Sequence, residues 1–527
     1  MPATTADKVI VTHLGRLSAK YKASGVTAIR AAVRRLITAD KERGLTTVLV
    51  DLAGSADMKK YKAKAVPAAN ALDPRAAKTA IDQVFTTLKP SYLMLLGAPD
   101  VIPHQDLTNP VYTPGTDDDR VAWSDLPYAC DAPYHRSIRK FLAPARVVGR
   151  LPDVTNGTDP AYLVRLLRAA EQYTERPAKD YDAFLGITTA TWKDSTDESL
   201  RAVFGSAVGM KVAPPDAPPW STADLAARAH FVNCHGAPAS HQFYGEPGFA
   251  PSHDASLLPG KLADGTVMAA ECCYGAELYD PALDGGQPGM CNTYLDNGGY
   301  AYFGSSTIAY GPPAGNAQAD LICQDFLKHV RAGASAGRSA LQARLDYVAR
   351  AVVLSPVDLK TLAQFGLMGD PSLTPVRPTQ PAPHVVPKGT AAKAMSEALA
   401  AVGRAARVAR RATLFEMAEA VAASTLVVAD AVTKAAGGQW PKGLDAVVRP
   451  FGLRAPEMLT VQVLGATAPK GKGGVAPKAL AAAGAPTPTK VHTLLEREPA
   501  PGPAVLIRGV EVVEYGGSYE ARAFVSR

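Results

Sequence analysis

Short apolar runs separated by stretches of helical spacing set the pattern of the chain up to Leu373. From Gly15 to about Ala39 the apolar positions recur every three to four residues, which predicts an amphipathic helix. Thr46–Leu52 then reads as a buried strand. Asp73 to Lys89 predicts a helix with an aspartate cap and Pro74 at its first position. Ser91–Gly97 is the next strand, and Ala98–Pro103 leaves it as a rigid loop. Ala145–Leu151 predicts a further strand and Asp159 to Arg176 a further helix. After a polar joint near 177–181 the alternation restarts: strand at Phe184–Thr189, short helix from Asp197 to Phe204, strands near Ala229–Asn233, Thr266–Glu271 and Tyr300–Gly304, and long helices near 316–332 and 335–353. Strand–helix–strand alternation of this kind predicts parallel sheet with crossover helices, an α/β fold in two side-by-side lobes.

Composition shifts after Leu373. Proline-rich 374–387 marks a domain end. Ala391 to about Ala436 is alanine-rich with helical spacing, and 467–490 is rich in Pro, Gly, Ala and Lys, hence a flexible linker. Strand-like runs at Leu459–Leu464 and Ala504–Tyr515, and a Gly516-Gly517 turn into Tyr519–Val525, predict a small β unit. The division that follows is an N-terminal α/β lobe (1–178), a second α/β lobe (179–376), a linker (377–390) and a C-terminal helical and β region (391–527).

With 527 residues, 47% hydrophobic and 20% charged, the chain has the balance of a globular protein of two or three domains. The net charge of +7 is modest for this length and the basic residues are dispersed, so neither nucleic acid nor a membrane surface is an expected partner. No apolar stretch reaches the roughly 18 residues of a membrane span. Six cysteines in so long a chain are no disulfide framework, and the first residues lack a secretory pattern, so a reducing, cytoplasmic setting is expected. One basic stripe, Arg404, Arg407, Arg410 and Arg411, falls on one helix face. It reads first as a solvated surface, and otherwise as a site for an acidic partner or for self-cleavage. Lys470, Lys472, Lys478 and Lys490 offer further exposed positions for self-cleavage.

Two of the apolar runs end in reactive side chains. Phe231-Val-Asn-Cys-His235-Gly236 delivers a histidine, and Val267-Met-Ala-Ala-Glu-Cys272-Cys273-Tyr-Gly275-Ala a cysteine pair. As neighbouring parallel strands they would bring both to one sheet edge, where α/β proteins bind ligands. An imidazole beside a thiol can take its proton and later protonate a leaving amine. Glycine nearby admits a substrate backbone and frees main-chain N–H groups for an oxyanion hole. Taken singly, His-Gly after a strand is a turn and a buried cysteine a small hydrophobe. Zinc held by Cys234, His235, Cys272 and Cys273 is disfavoured, because adjacent strand residues face opposite sides and no Cys-x-x-Cys spacing occurs. No metal or cofactor is called for.

The ordered series of motifs resembles the gingipain-type cysteine peptidases, within the wider group of caspases, legumain, separase and clostripain. Besides the His-Gly and Cys segments, Leu95–Pro103 is similar to that family's early strand and loop, Val147–Pro152 to its Gly-Arg segment, and Phe365–Leu373 to its closing Gly-Asp-Pro-Ser-Leu. The resemblance spans roughly residues 45–375. It implies a cysteine endopeptidase of caspase/gingipain-like fold, acting on protein or peptide substrates, with His235 as general acid/base and Gly236 plus the nucleophile's N–H as oxyanion hole. The nucleophile is Cys273 by the small residue preceding it, or Cys272 by the two residues that separate it from Gly275. The same resemblance implies a pocket acid for Arg or Lys at Asp194, or else Asp197, and a pocket-lining aromatic at Tyr310. The family's glutamate a few residues before that acid is missing, since Ala190-Thr191-Trp192 stands there, so the implied unit is a His–Cys dyad. The alternatives are a catalytically silent member acting as a scaffold through its C-terminal region, which could also bind a regulatory protein, and a basic adaptor for nucleic acid.

Overall fold

The computed structural model describes residues 5–351, 353–377, 426–435, 443–464, 489–515 and 518–527. The arginine stripe at 404–411, nearly all of both linkers, and the Gly516-Gly517 turn lie outside the described residues. β1 (Lys8–Thr12), β2 (Thr47–Asp51) and β3 (Tyr92–Leu96) come first. A ribbon of β4 (Gln105–Thr108) and β5 (Val121–Ser124) precedes β6 (Val148–Leu151). β7 (Phe184–Thr188), β8 (Lys211–Val212) and β9 (Ala229–Asn233) follow, then a second ribbon, β10 (Gln242–Tyr244) and β11 (Pro251–Asp254). Next are β12 (Thr266–Ala270), β13 (Gly299–Ser305), β14 (Tyr310–Gly311), β15 (Val353–Leu354) and β16 (Phe365–Met368). The last described segments hold β17 (Leu426–Ala435), β18 (Glu457–Leu464), β19 (Lys490–Glu498), β20 (Leu506–Tyr515) and β21 (Ser518–Ser526).

Ten strands form one sheet in the order β2-β1-β3-β6-β16-β13-β12-β9-β7-β8. Every neighbouring pair is parallel except β13 with β16, which is antiparallel. The fold is therefore α/β, and the sheet consists of two parallel half-sheets running in opposite directions from one seam; β16, from the expected second lobe, lies in the half-sheet built by the first. Helices cover both faces, as parallel strands buried on two sides require. Cores lie on either side: Met268, Ala270 and Cys272 belong to one, Val267, Ala269 and Cys273 to the other. The helices obey their local signals. Asp73 caps the helix Pro74–Leu88 through the Arg75 N–H, and Gly205, at φ 78°, ends the helix Lys193–Phe204.

A second, seven-stranded sheet runs β14-β21-β20-β19-β18-β17-β15. Its interior strands are C-terminal, whereas both edge strands come from the region that also builds the large sheet. Leu426–Ala435, expected within the alanine-rich helix, is strand β17, paired antiparallel with β18 and parallel with β15. Valine-rich sequence with partners on both sides overrides the helical spacing there. The rest of the expected helix lies outside the described residues. β20 and β21 pair from Arg508↔Val525 to Tyr515↔Ser518, as the hairpin reading requires. Arg522 ties the helix Pro356–Gln364 to this sheet, pairing with Asp358 at 2.8 Å and with Glu511 of β20 at 2.8 Å. Among the described residues no helix is long and apolar enough to cross a membrane.

Under the second half-sheet two histidines are buried in a directional chain of hydrogen bonds. Trp220 Nε1–H donates to His253 Nδ1 (3.2 Å), so His253 carries its proton on Nε2 and donates to Tyr294 Oη (2.8 Å). Tyr294 in turn donates to His230 Nδ1 (2.7 Å), and His230 Nε2–H donates to Ala227 O (2.9 Å). Accepting at Nδ1 requires both rings to be neutral, and burial pushes His230 down to about 4 and His253 to about 3. The unfolded chain takes up these protons near pH 6.5 and the folded one does not, so stability falls as pH drops below that value. By about pH 4.5 the loss should approach roughly 3 kcal/mol for each ring. The urea midpoint is expected to fall accordingly, and less steeply in His253→Gln, whose amide can replace both bonds. An equal fall in that variant would place the acid sensitivity elsewhere.

Candidate active site

β9 and β12 are adjacent and parallel, in register from Ala229↔Val267 to Val232↔Ala270, so both reactive segments leave the same edge of the second half-sheet. Beyond that edge the His235-Gly236 turn packs backbone to backbone on Cys273. A Cβ on Gly236 would collide with the Cys273 carbonyl, which is why no larger residue fits there. Cys272 and Cys273 diverge, as successive residues must. Cys272 Sγ lies 3.8 Å from Val232 O within one core. Cys273 faces the other side, where Sγ receives the Ala309 N–H at 3.3 Å and lies 3.5 Å from Ala309 O. Tyr274 follows in the left-handed region at φ 53°, held by its O–H on Asp119 (2.9 Å) and its N–H on Thr307 O (3.0 Å). Strain of this kind persists only where the surroundings enforce it.

His235 is fully buried, its ring between Trp192 (4.6 Å between centroids) and Phe249 (4.7 Å). Its Nε2 lies 3.2 Å from Glu246 Oε2, and Glu246 is itself held by the Thr191 hydroxyl at 2.6 Å. Among the described residues Nδ1 has no hydrogen-bond partner. Burial lowers the imidazole pKa, and Glu246 pulls the other way. The bond to His235 holds Glu246 below the usual carboxylate range. An acid thus does accompany the histidine, from a position after it in the chain rather than before.

The site is occupied by the chain's own Arg527. β21 adds antiparallel to β14, with Tyr310↔Ser526 and Gly311↔Val525 in register. The Arg527 N–H donates to Ala309 O (3.0 Å), and the Arg527 carbonyl oxygen accepts the Cys273 N–H (2.8 Å). The side chain enters a closed pocket. Its Nη2 donates to both Asp320 oxygens (2.7 and 2.8 Å), its Nη1 lies 3.0 Å from Glu271 Oε2 and donates to Asn233 Oδ1, and the guanidinium sits 5.0 Å from the centre of the Trp192 ring. Gly311 opens the way in, since a Cβ there would overlap the guanidinium. Glu271, Asp320 and Arg527 are all fully buried. Among the described residues Glu271 has no hydrogen-bond donor, and Arg527 is the cation paired with it. Burial raises the pKa of both acids, the neighbouring Asp320 adds to the rise at Glu271, and the guanidinium opposes the rise at each.

The other expected site residues fall as follows. Tyr310 lies on β14 with its ring edge-on to Phe524 of β21 (5.2 Å) and its O–H on Asp117 (2.7 Å). Asp194 is exposed in the first turn of the helix Lys193–Phe204, and Asp197 pairs with Arg201 at 2.5 Å. Neither meets Arg527; Trp192, just before them, does. Glu271, Asp320, Asn233, Glu246 and Arg527 carry no local signal of their shared surroundings. Glu271 alone was within reach of inference, as a carboxylate inside an otherwise apolar strand end. Around Tyr310, Asp117 and Asp119 share Lys360 (2.6 and 3.3 Å), which secures the loop behind Cys273.

No family model matches the chain, and no curated protein matches it. Among solved structures, one described as "Structure of Protease" is similar at 14% identity and a TM-score of 0.43, over 98% of this chain and 96% of that one.

Proposed function

We propose that the protein is a cysteine endopeptidase that cleaves after arginine, with Cys273 as nucleophile, His235 as general acid/base and Glu246 orienting the imidazole. The observation that carries this reading is the placement of Arg527: a guanidinium between two buried carboxylates, with its carbonyl oxygen on the N–H of a cysteine next to His-Gly. A substrate strand bound as β21 is bound would present its arginine carbonyl to Cys273. The Cys273 N–H would stabilise the oxyanion of the tetrahedral intermediate. With Nε2 engaged by Glu246, Nδ1 is the nitrogen free to take the thiol proton and pass it to the leaving amine. Cys272, on the opposite face, takes no part. The planar fork of arginine suits two carboxylates better than the point charge of lysine.

A catalytically silent scaffold is the second reading. The observation favouring it is that burial pushes the Cys273 thiol up to about 12 while β21 fills the cleft. A chain shortened to end at Phe524, treated with a peptidyl-arginine acyloxymethyl ketone, separates the two. The endopeptidase should form one adduct, on Cys273, and His235→Ala should slow its formation at least tenfold. An unlabelled Cys273, or labelling of Cys272 instead, would reject the reading.

A further inference from the structure

β21 lies in the cleft as the acyl half of a substrate. Residues 525 and 526 add as a strand to β14, the Arg527 side chain fills the acidic pocket, and the Arg527 carbonyl oxygen rests on the Cys273 N–H. Nothing about this arrangement depends on a second molecule. Ser526 is held in place from its own sheet, its hydroxyl donating to Val505 O (2.6 Å) and accepting the Ile507 N–H (2.7 Å). The C-terminal sheet thus delivers one particular carbonyl to the nucleophile. Of the basic positions named from the sequence, Arg404, Arg407, Arg410, Arg411, Lys470, Lys472 and Lys478 lie outside the described residues, and Lys490 begins β19.

We infer that the bond following Arg527 is a self-cleavage site, so that any residue joined to Arg527 is removed in cis by Cys273 and the cut strand stays in the cleft. This rests on the endopeptidase reading above. In the step, Cys273 Sγ adds to the Arg527 carbonyl carbon, the C–N bond to the following residue breaks, and His235 protonates the departing amine. Water then hydrolyses the thioester, restoring the Cys273 thiol and leaving Arg527 with a free carboxylate. Water is the one co-reactant. The retained strand makes the cleaved chain a product complex of itself, closed to other substrates.

The test is the full chain carrying a Gly-Ser-hexahistidine extension after Arg527, followed by intact mass. The extension should be lost at a rate independent of protein concentration. It should persist in Cys273→Ala and in Arg527→Ala, and be lost more slowly in Arg527→Lys. Loss from Cys273→Ala as well, or from Arg527→Ala as readily as from the parent, would overturn the inference. An arginyl fluorogenic peptide given to the chain ending at Phe524 is the companion measurement. If it is cleaved there while the extension on the full chain remains, the self-cleavage site is refuted and the endopeptidase stands. If neither is cleaved, both fall.

Discussion

Replacing Arg527 with alanine should cost about 3 kcal/mol of stability near pH 7.5 and clearly less near pH 5. Removing one partner of a buried ion pair is severe because the remaining charge has no compensation. Here two neighbouring carboxyl groups would be left without a cation, Glu271 beside Asp320, and Asp320 with the Ala317 N–H of its helix start (3.3 Å) and the nearby Ser195. Both already sit above the ordinary carboxylate range, with Arg527 as the group that opposes the rise, so its loss moves them further up. The sign follows from proton binding. A carboxyl whose folded pKa is raised holds its proton while the unfolded chain has released it. Its contribution is therefore most favourable below about pH 4 and is lost as pH rises through the folded value. Denaturation midpoints of parent and variant, compared across this range, should converge toward acid. A gap that does not change with pH would show that the two acids are not what the guanidinium neutralises. Arg527→Lys should recover part of the loss at neutral pH.

Alanine at Cys273 or at His235, in the chain ending at Phe524, should lower cleavage of an arginyl peptide by about 10⁴-fold or more, the usual result of removing a nucleophile or its base. Cys272→Ala should stay within about tenfold, because that thiol faces the opposite core. Glu246→Gln should fall between, since the amide keeps a contact to Nε2 but not the charge that opposes the lowering of the imidazole pKa. Steady-state kcat/KM on one peptide ranks all four. A Cys272→Ala loss equal to that of Cys273→Ala would remove the assignment based on the two faces.

What the sequence revealed and what it withheld follow from range. Val267–Ala270 and Phe231–Asn233 announce buried strands through continuous apolar runs, and the reactive residues just past them announce a shared edge; β9 beside β12 is that edge. Tyr310 lies on the strand that meets β21. The pocket was not legible in the same way. Asn233 and Arg527 are 294 positions apart, and no periodicity within either segment couples them. Asp194 stands where a helix-start acid was expected to serve the pocket. The acid that does so, Asp320, also begins a helix, in another segment, and its Oδ2 accepts the Ala317 N–H there. Glu246 follows the histidine by eleven positions, in the loop between β10 and β11, where only the fold returns it to the imidazole. The reversal of direction at β13 and β16 was equally hidden, since strand patterns carry no sign of orientation.

β21 is at once the occupant of the cleft and a rib of the seven-stranded sheet, hydrogen-bonded to β20 along most of its length. Vacating the pocket therefore means peeling a strand away from β14 rather than letting a loose ligand diffuse off. Partial unfolding of this sort climbs steeply with heat, about three- to sixfold for every ten degrees. On the endopeptidase reading, a cleft closed by β21 would admit outside peptides only through this thermally activated opening, with turnover tracking warmth far more sharply than the chemistry alone demands.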